Sequence, residues 1–207
     1  MTIHAFVKSV VAAVLVTAIA SPVLAQEGNA QAGKGKITAC LACHGEAGND
    51  STLPNVPKIG GQGQKYLLKQ LRDIKSGARV VPLMAGILDN FNDQDLADLA
   101  AWYSTQEAPL GAVDPALREQ GEVLFKAGNA SIGVAACSAC HAVDGKGIAS
   151  AGFPALSGQD PAYTEAQLKA FRAGERTNDD AAVMRSIAAR LSDTEIAALA
   201  SFVFGVR

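Results

Sequence analysis

The chain has 207 residues, with 18 Lys and Arg against 20 Asp and Glu, a formal net charge of −2 and 5% aromatic residues. That is enough for one large domain or two small ones. The balance shows no basic excess, so no nucleic-acid partner is expected. Alanine and the N-terminal segment inflate the 49% apolar content.

The chain opens MTIHAFVKSVVAAVLVTAIASPVLAQEG. Lys8 supplies a short positive start, Val10 to Ala20 is an uncharged apolar run, Ser21 and Pro22 break it, and small residues end at Ala25. This pattern predicts a secretory signal peptide over 1–25. The run is shorter than the roughly 20 residues of a membrane-spanning helix. His4 lies in the part to be removed, which leaves the mature chain two histidines, His44 and His141.

GKGKITACLACH predicts a helix that runs into Cys40, Cys43 and His44, and CSACH repeats the group at Cys137, Cys140 and His141. The two pentapeptides use all four cysteines. Three chemistries compete for them. A redox-active C-x-x-C pair leaves the histidines unexplained. A structural zinc site wants four tetrahedral ligands, and each group supplies three. Covalent haem uses every residue: C-x-x-C-H is the c-type attachment sequence. One helical turn presents both thiols to the porphyrin vinyl groups, and the adjacent histidine reaches the iron. Two such groups imply two covalently bound haem c groups. They would also give the sparse cores of such small domains the apolar surface they lack.

Beyond each pentapeptide the elements recur. Pro57 and Pro154 each lie 13 residues after their histidine, and a proline carbonyl suits the second ring N–H of a ligating imidazole. QKYLLKQLRDIKSG has apolar residues at 67, 68, 71 and 74 and Gly77 as a stop, a helical pattern. Met84 and Met184, the two methionines of the mature chain, fall on one another at an offset of 100. Methionine often fills core gaps, but one per unit at equivalent positions favours sixth ligands to iron. The closing helices start at Asn92 with Asp95 and at Ser192 with Glu195, capping-box spacings, and Phe91 with Leu96 and Leu191 with Ile196 could staple them. No period-2 strand is evident. Tyr66, Arg79, Tyr163 and Arg176 either meet haem propionates or stand on a solvated helix face.

The recurrence is an internal repeat. PKIGGQGQKYLLKQLRDIKSGAR (57–79) lies without a gap on PALSGQDPAYTEAQLKAFRAGER (154–176), and FNDQDLADLAAW on LSDTEIAALASF. TQEAPLGAVDPALRE (105–119) has linker composition. The units are placed at 26–109 and 110–207, with 8 basic against 9 acidic residues and 9 against 11.

Two CxxCH units in tandem, each with a following proline, a Y…QL…G.R helix and one methionine before a closing helix, resemble the class I di-haem cytochromes c, the cytochrome c4 family in particular. The resemblance covers 26–207. It implies an all-α protein of two tandem class I cytochrome c domains, each a small helical fold around one haem, with haem edges facing. It implies a periplasmic protein, soluble or loosely membrane-associated and monomeric. Such a protein is an electron carrier, not an enzyme, between a cytochrome bc complex and a haem–copper terminal oxidase. One departure is visible: Met84 sits in VVPLMAG, whereas Met184 sits in DDAAVMRS without a proline. The alternatives are the electron-accepting subunit of a flavoprotein dehydrogenase such as a sulfide dehydrogenase, and a di-haem peroxidase, which needs an iron site able to open.

Overall fold

The computed structural model describes residues 27–51 and 53–207; the expected signal peptide, 1–25, lies outside them. The repeat becomes two helical domains. In the first, α1 (Ala30–Lys34) is capped by Asn29, whose side chain accepts from the Ala32 N–H. α2 (Thr38–His44) carries the first pentapeptide, and α3 (Gln64–Ser76) stops at Gly77 in the left-handed conformation. α4 (Asp93–Ser104) starts with the expected Asn92–Asp95 capping box. The second domain comprises α5 (Arg118–Ala127), α6 (Ser138–His141), α7 (Pro161–Ala173), α8 (Val183–Ala188) and α9 (Asp193–Gly205). Ser192 and Glu195 form the second capping box.

No strand forms among the described residues; two isolated bridges, Asn129 with Val134 and Ile148 with Phe153, close short turns. The all-α expectation therefore holds. One helix differs: the continuous helix expected from GKGKITACLACH is interrupted after Lys34. Gly35 caps α1 and Ile37 turns into the core before α2 begins.

Two helix crossings frame the domains. α1 crosses α4 where a Cβ on Gly33 would run into the Asp98 carbonyl, and α5 crosses α9 where one on Gly121 would run into that of Ala198. These glycines permit backbone-to-backbone approach. The first core holds Ile37, Leu67, Leu99, Ala100 and Tyr103, with Cys40 at its edge. The second is larger, built on Phe125, Ile196, Leu199, Phe202 and Val203, with Leu191 in the same cluster and Cys137 at its edge. The later part of the connecting segment docks on the second domain. Val113 is buried there, the Gly111 N–H donates to the Phe204 carbonyl, and the Asp114 N–H donates to Ser201 Oγ.

Candidate haem sites

In α2 one turn of helix holds Cys40, Cys43 and His44; in the second domain Cys137 caps α6, which carries Cys140 and His141. The sequence builds these turns by closing each helix immediately after the histidine. Gly45 does so at φ 70°, and its counterpart Ala142 does so at φ 64°. Both imidazoles are buried. His44 Nδ1 lies 3.0 Å from the Pro57 carbonyl and His141 Nδ1 lies 2.9 Å from that of Pro154. A carbonyl only accepts, so Nδ1 carries the proton, and in the neutral ring Nε2 then keeps a lone pair. Burial pushes both imidazoles below their ordinary pKa against the opposing pull of those carbonyls. Each ring is thus a neutral, oriented nitrogen donor. The proline carbonyls take the place expected for them.

The thiols suit the same chemistry. All four are free and half-buried. Burial pushes Cys40 up and Cys137 up to about 11, whereas a redox-active C-x-x-C depresses a thiol pKa. Among the described residues no three or more of His, Cys, Asp and Glu converge as a metal cluster, so the donors of a tetrahedral zinc site are not gathered. Apolar side chains that would ordinarily be core stand exposed beside the candidate ligands: Leu41 within the first pentapeptide, Val80, Leu83 and Ile87 around Met84, Val143 after His141 and Val183 before Met184. The Phe153 ring lies 6.4 Å from that of His141. Thiols, neutral imidazoles and an apolar border together fit a haem c in each domain.

The two methionines are half-buried but sit in different backbones. Met84 ends a 3₁₀ turn begun by Pro82. Met184 lies in the first turn of α8, directly after Ala181 and Ala182 at φ 51° and 56°. The missing proline is therefore accompanied by a pair of left-handed alanines, a conformation that costs an L-residue about 1–2 kcal/mol.

Tyr66, Arg79, Tyr163 and Arg176 do not stand on a solvated face. Arg79 donates to Gln70 Oε1 at 2.8 Å in its own domain, and to Tyr163 Oη at 2.9 Å and Gln167 Oε1 at 3.0 Å across the domain boundary. Arg176 mirrors it, donating to Gln167 at 2.8 Å and to Tyr66 and Gln70 at 3.1 Å each. The two arginines and two glutamines close a ring about a local twofold. Burial pushes the Tyr66 phenol up, but Arg176 and Arg79 outweigh it and hold the group below its ordinary value. Neither arginine forms an ion pair among the described residues. Two half-buried guanidiniums without a carboxylate partner suit a nearby anion.

Gln62 and Gln159, which fall on one another in the repeat, also cross the boundary, each bonding both backbone groups of one residue opposite. Their equivalence was visible in sequence, but nothing in it marked a cross-domain contact.

The cytochrome c family model matches residues 30–107 and 119–206. Cytochrome c4 of Pseudomonas aeruginosa is 52% identical over 86% of this chain and 89% of that protein. A crystal structure of reduced recombinant cytochrome c4 from Pseudomonas stutzeri superposes with a TM-score of 0.84 at 50% identity, covering 87% of this chain and all of that one. More distant, at 34% identity over 81% of this chain and 78% of its own length, is a thiosulfate dehydrogenase electron acceptor of Thiomonas intermedia.

Proposed function

This chain belongs to the cytochrome c family, on its di-haem cytochrome c4 branch, and carries two covalently bound haem c groups; we propose that it relays electrons in the periplasm from a cytochrome bc complex toward a haem–copper terminal oxidase. In this reading 26–109 and 110–207 are the two carrier domains. Cys40 and Cys43 anchor one haem, with His44 and Met84 on its iron; Cys137 and Cys140 anchor the other, with His141 and Met184. Bound haem c supplies a one-electron ferric–ferrous couple.

The residues' own roles follow from their chemistry. His44 and His141 present Nε2 because Pro57 and Pro154 hold Nδ1. Met84 and Met184 offer soft, neutral sulfur, which favours ferrous iron and raises the potential. His44 with Met84, and His141 with Met184, would each give the iron one nitrogen and one sulfur donor and would leave no place for oxygen or peroxide, which suits a carrier better than a catalyst. Arg79 and Arg176, which bond across the boundary, would supply positive charge for haem propionates. Export through a signal peptide over 1–25 puts the chain where c-type haem is attached; no described helix is long and apolar enough to cross a membrane.

The observation that carries the reading is the matched pair of neutral imidazoles, each held by a proline carbonyl at the same spacing. The test is the ferric spectrum of the holoprotein. The weak far-red sulfur-to-iron band is expected from both sites, with about half lost in Met84→Ala and half in Met184→Ala. A wild-type protein without that band would defeat the ligand assignment.

The Thiomonas relative supports a second reading, an acceptor serving a sulfur-compound dehydrogenase. Its lower identity beside the cytochrome c4 proteins ranks it second. Rapid reduction by such a dehydrogenase, with none by a bc complex, would reverse the order.

A further inference from the structure

Each peptide unit that orients a histidine is gripped from the other side by the opposite domain. The Pro154 carbonyl faces His141 Nδ1 at 2.9 Å, and the N–H of that same peptide unit, on Ala155, donates to Gln62 Oε1 at 2.7 Å. The Pro57 carbonyl faces His44 Nδ1 at 3.0 Å, and the N–H of its unit, on Lys58, donates to Gln159 Oε1 at 2.9 Å. Each glutamine adds a second bond to the same residue: Gln62 Nε2 donates to the Ala155 carbonyl at 2.9 Å, and Gln159 Nε2 to that of Lys58 at 2.8 Å. Both amides are buried, and each Oε1 also accepts from its own chain, from the Gly63 and Asp160 N–H groups at 3.0 Å. These glutamines have little freedom to turn.

We propose that Gln62 and Gln159 are positioning residues for the histidine of the opposite domain, each acting through one peptide unit. The inference rests on His44 and His141 being iron ligands. An amide is a resonant unit, so an acceptor on its N–H enriches its carbonyl oxygen, and hydrogen bonds in a chain polarise one another. A richer carbonyl draws harder on the Nδ1–H, and a ligating histidine held this way is the more basic donor. A more basic donor favours ferric iron, so each glutamine lowers the potential of the haem across the boundary. The two bonds also fix the plane of the peptide and with it the ring that the carbonyl orients. The relay is reciprocal because the repeat supplies it twice.

The test compares Gln62→Met and Gln159→Met holoproteins with wild type by redox titration, each potential being assigned to its domain by proton NMR of the haem methyls. Gln62→Met should raise the potential of the haem at Cys137 and Cys140 alone. A two- to threefold shift in the ferric-to-ferrous ratio is expected, about 18–28 mV at about 59 mV per tenfold for one electron. Exchange of the His141 ring N–H should quicken with it. Gln159→Met should do the same at the other haem and at His44. Gln62→Glu keeps an acceptor opposite the Ala155 N–H and should lower, not raise, the potential of the second haem, which preserves the test if the methionine variant fails to accumulate. Shifts at the substituted domain's own haem, equal shifts at both, or none would overturn the relay. Wild type also decides the underlying reading. If both ferric-state histidine ring N–H resonances lack paramagnetic shifts, the ligand assignment fails; if they have them and no cross-domain shift follows, only the relay fails.

Discussion

Ala142 follows the candidate ligand His141 at φ 64° and ψ 159°, and its repeat counterpart Gly45 follows His44 at φ 70° and ψ 174°. That region is almost confined to glycine and costs other residues about 1–3 kcal/mol. Ala142→Gly relieves the strain but frees the unfolded backbone, which returns about 0.5–1 kcal/mol. The net expectation is a gain of about 1 kcal/mol, the difference between the middles of the two ranges. In a domain of this size each 1 kcal/mol moves Tm by about 4–8 °C. Gly45→Ala should lose at least as much, because its Cβ would also meet the Asp50 Cβ at 2.8 Å. Differential scanning calorimetry of the holoproteins, with haem content matched by absorbance, measures both. If Ala142→Gly leaves Tm unchanged or lowers it while Gly45→Ala is tolerated, the backbone argument is wrong.

Gly33→Ala and Gly121→Ala force a methyl into the Asp98 and Ala198 carbonyls; each should destabilise by about 1–3 kcal/mol, the usual cost of overpacking, in urea titrations. Arg79→Met removes the hydrogen bonds to Tyr163 Oη and Gln167 Oε1 across the boundary and leaves Gln167 only its bond from Arg176, costing about 1–3 kcal/mol. Its calorimetric trace should broaden toward two transitions, where Arg72→Met, at an exposed ion pair with Asp93, should leave it unchanged. Asp98 is buried and accepts from the Asn29 N–H and from Lys36. Burial alone would raise its pKa, but the Asn29 N–H, Lys36 and Gln94 together hold it below the ordinary value. A depressed folded pKa contributes stability that is present above the unfolded value of about 3.9 and lost as pH falls through the folded one. Asp98→Asn should therefore flatten the first domain's acid unfolding, followed by circular dichroism below pH 4 or so.

The parts of the fold legible in sequence were those with local causes. Both capping boxes, the Gly77 stop and the proline–histidine spacing each follow from residues a few positions apart, or from a pattern stated twice. The break between α1 and α2 was missed because one glycine and a buried Ile37 interrupt what periodicity alone reads as continuous. α8 was missed because it starts from two left-handed alanines, for which no residue preference exists. Tyr66, Arg79, Tyr163 and Arg176 were visible as a repeated set, but a repeat reports equivalence and not contact. Their partners come from a boundary that forms only when the second unit folds against the first. Gln62 and Gln159 were hidden for the same reason.

The arginine–glutamine ring has a consequence for ancestry and engineering. A stand-alone haem protein duplicated in tandem keeps two self-sufficient halves, and either can be cut away. Here each half contributes a guanidinium and an amide that find their complement in the sister half. A severed half would meet solvent with a cationic, unmatched seam, so shortening this polypeptide to a single-haem carrier would require redesigning that seam along with the cut.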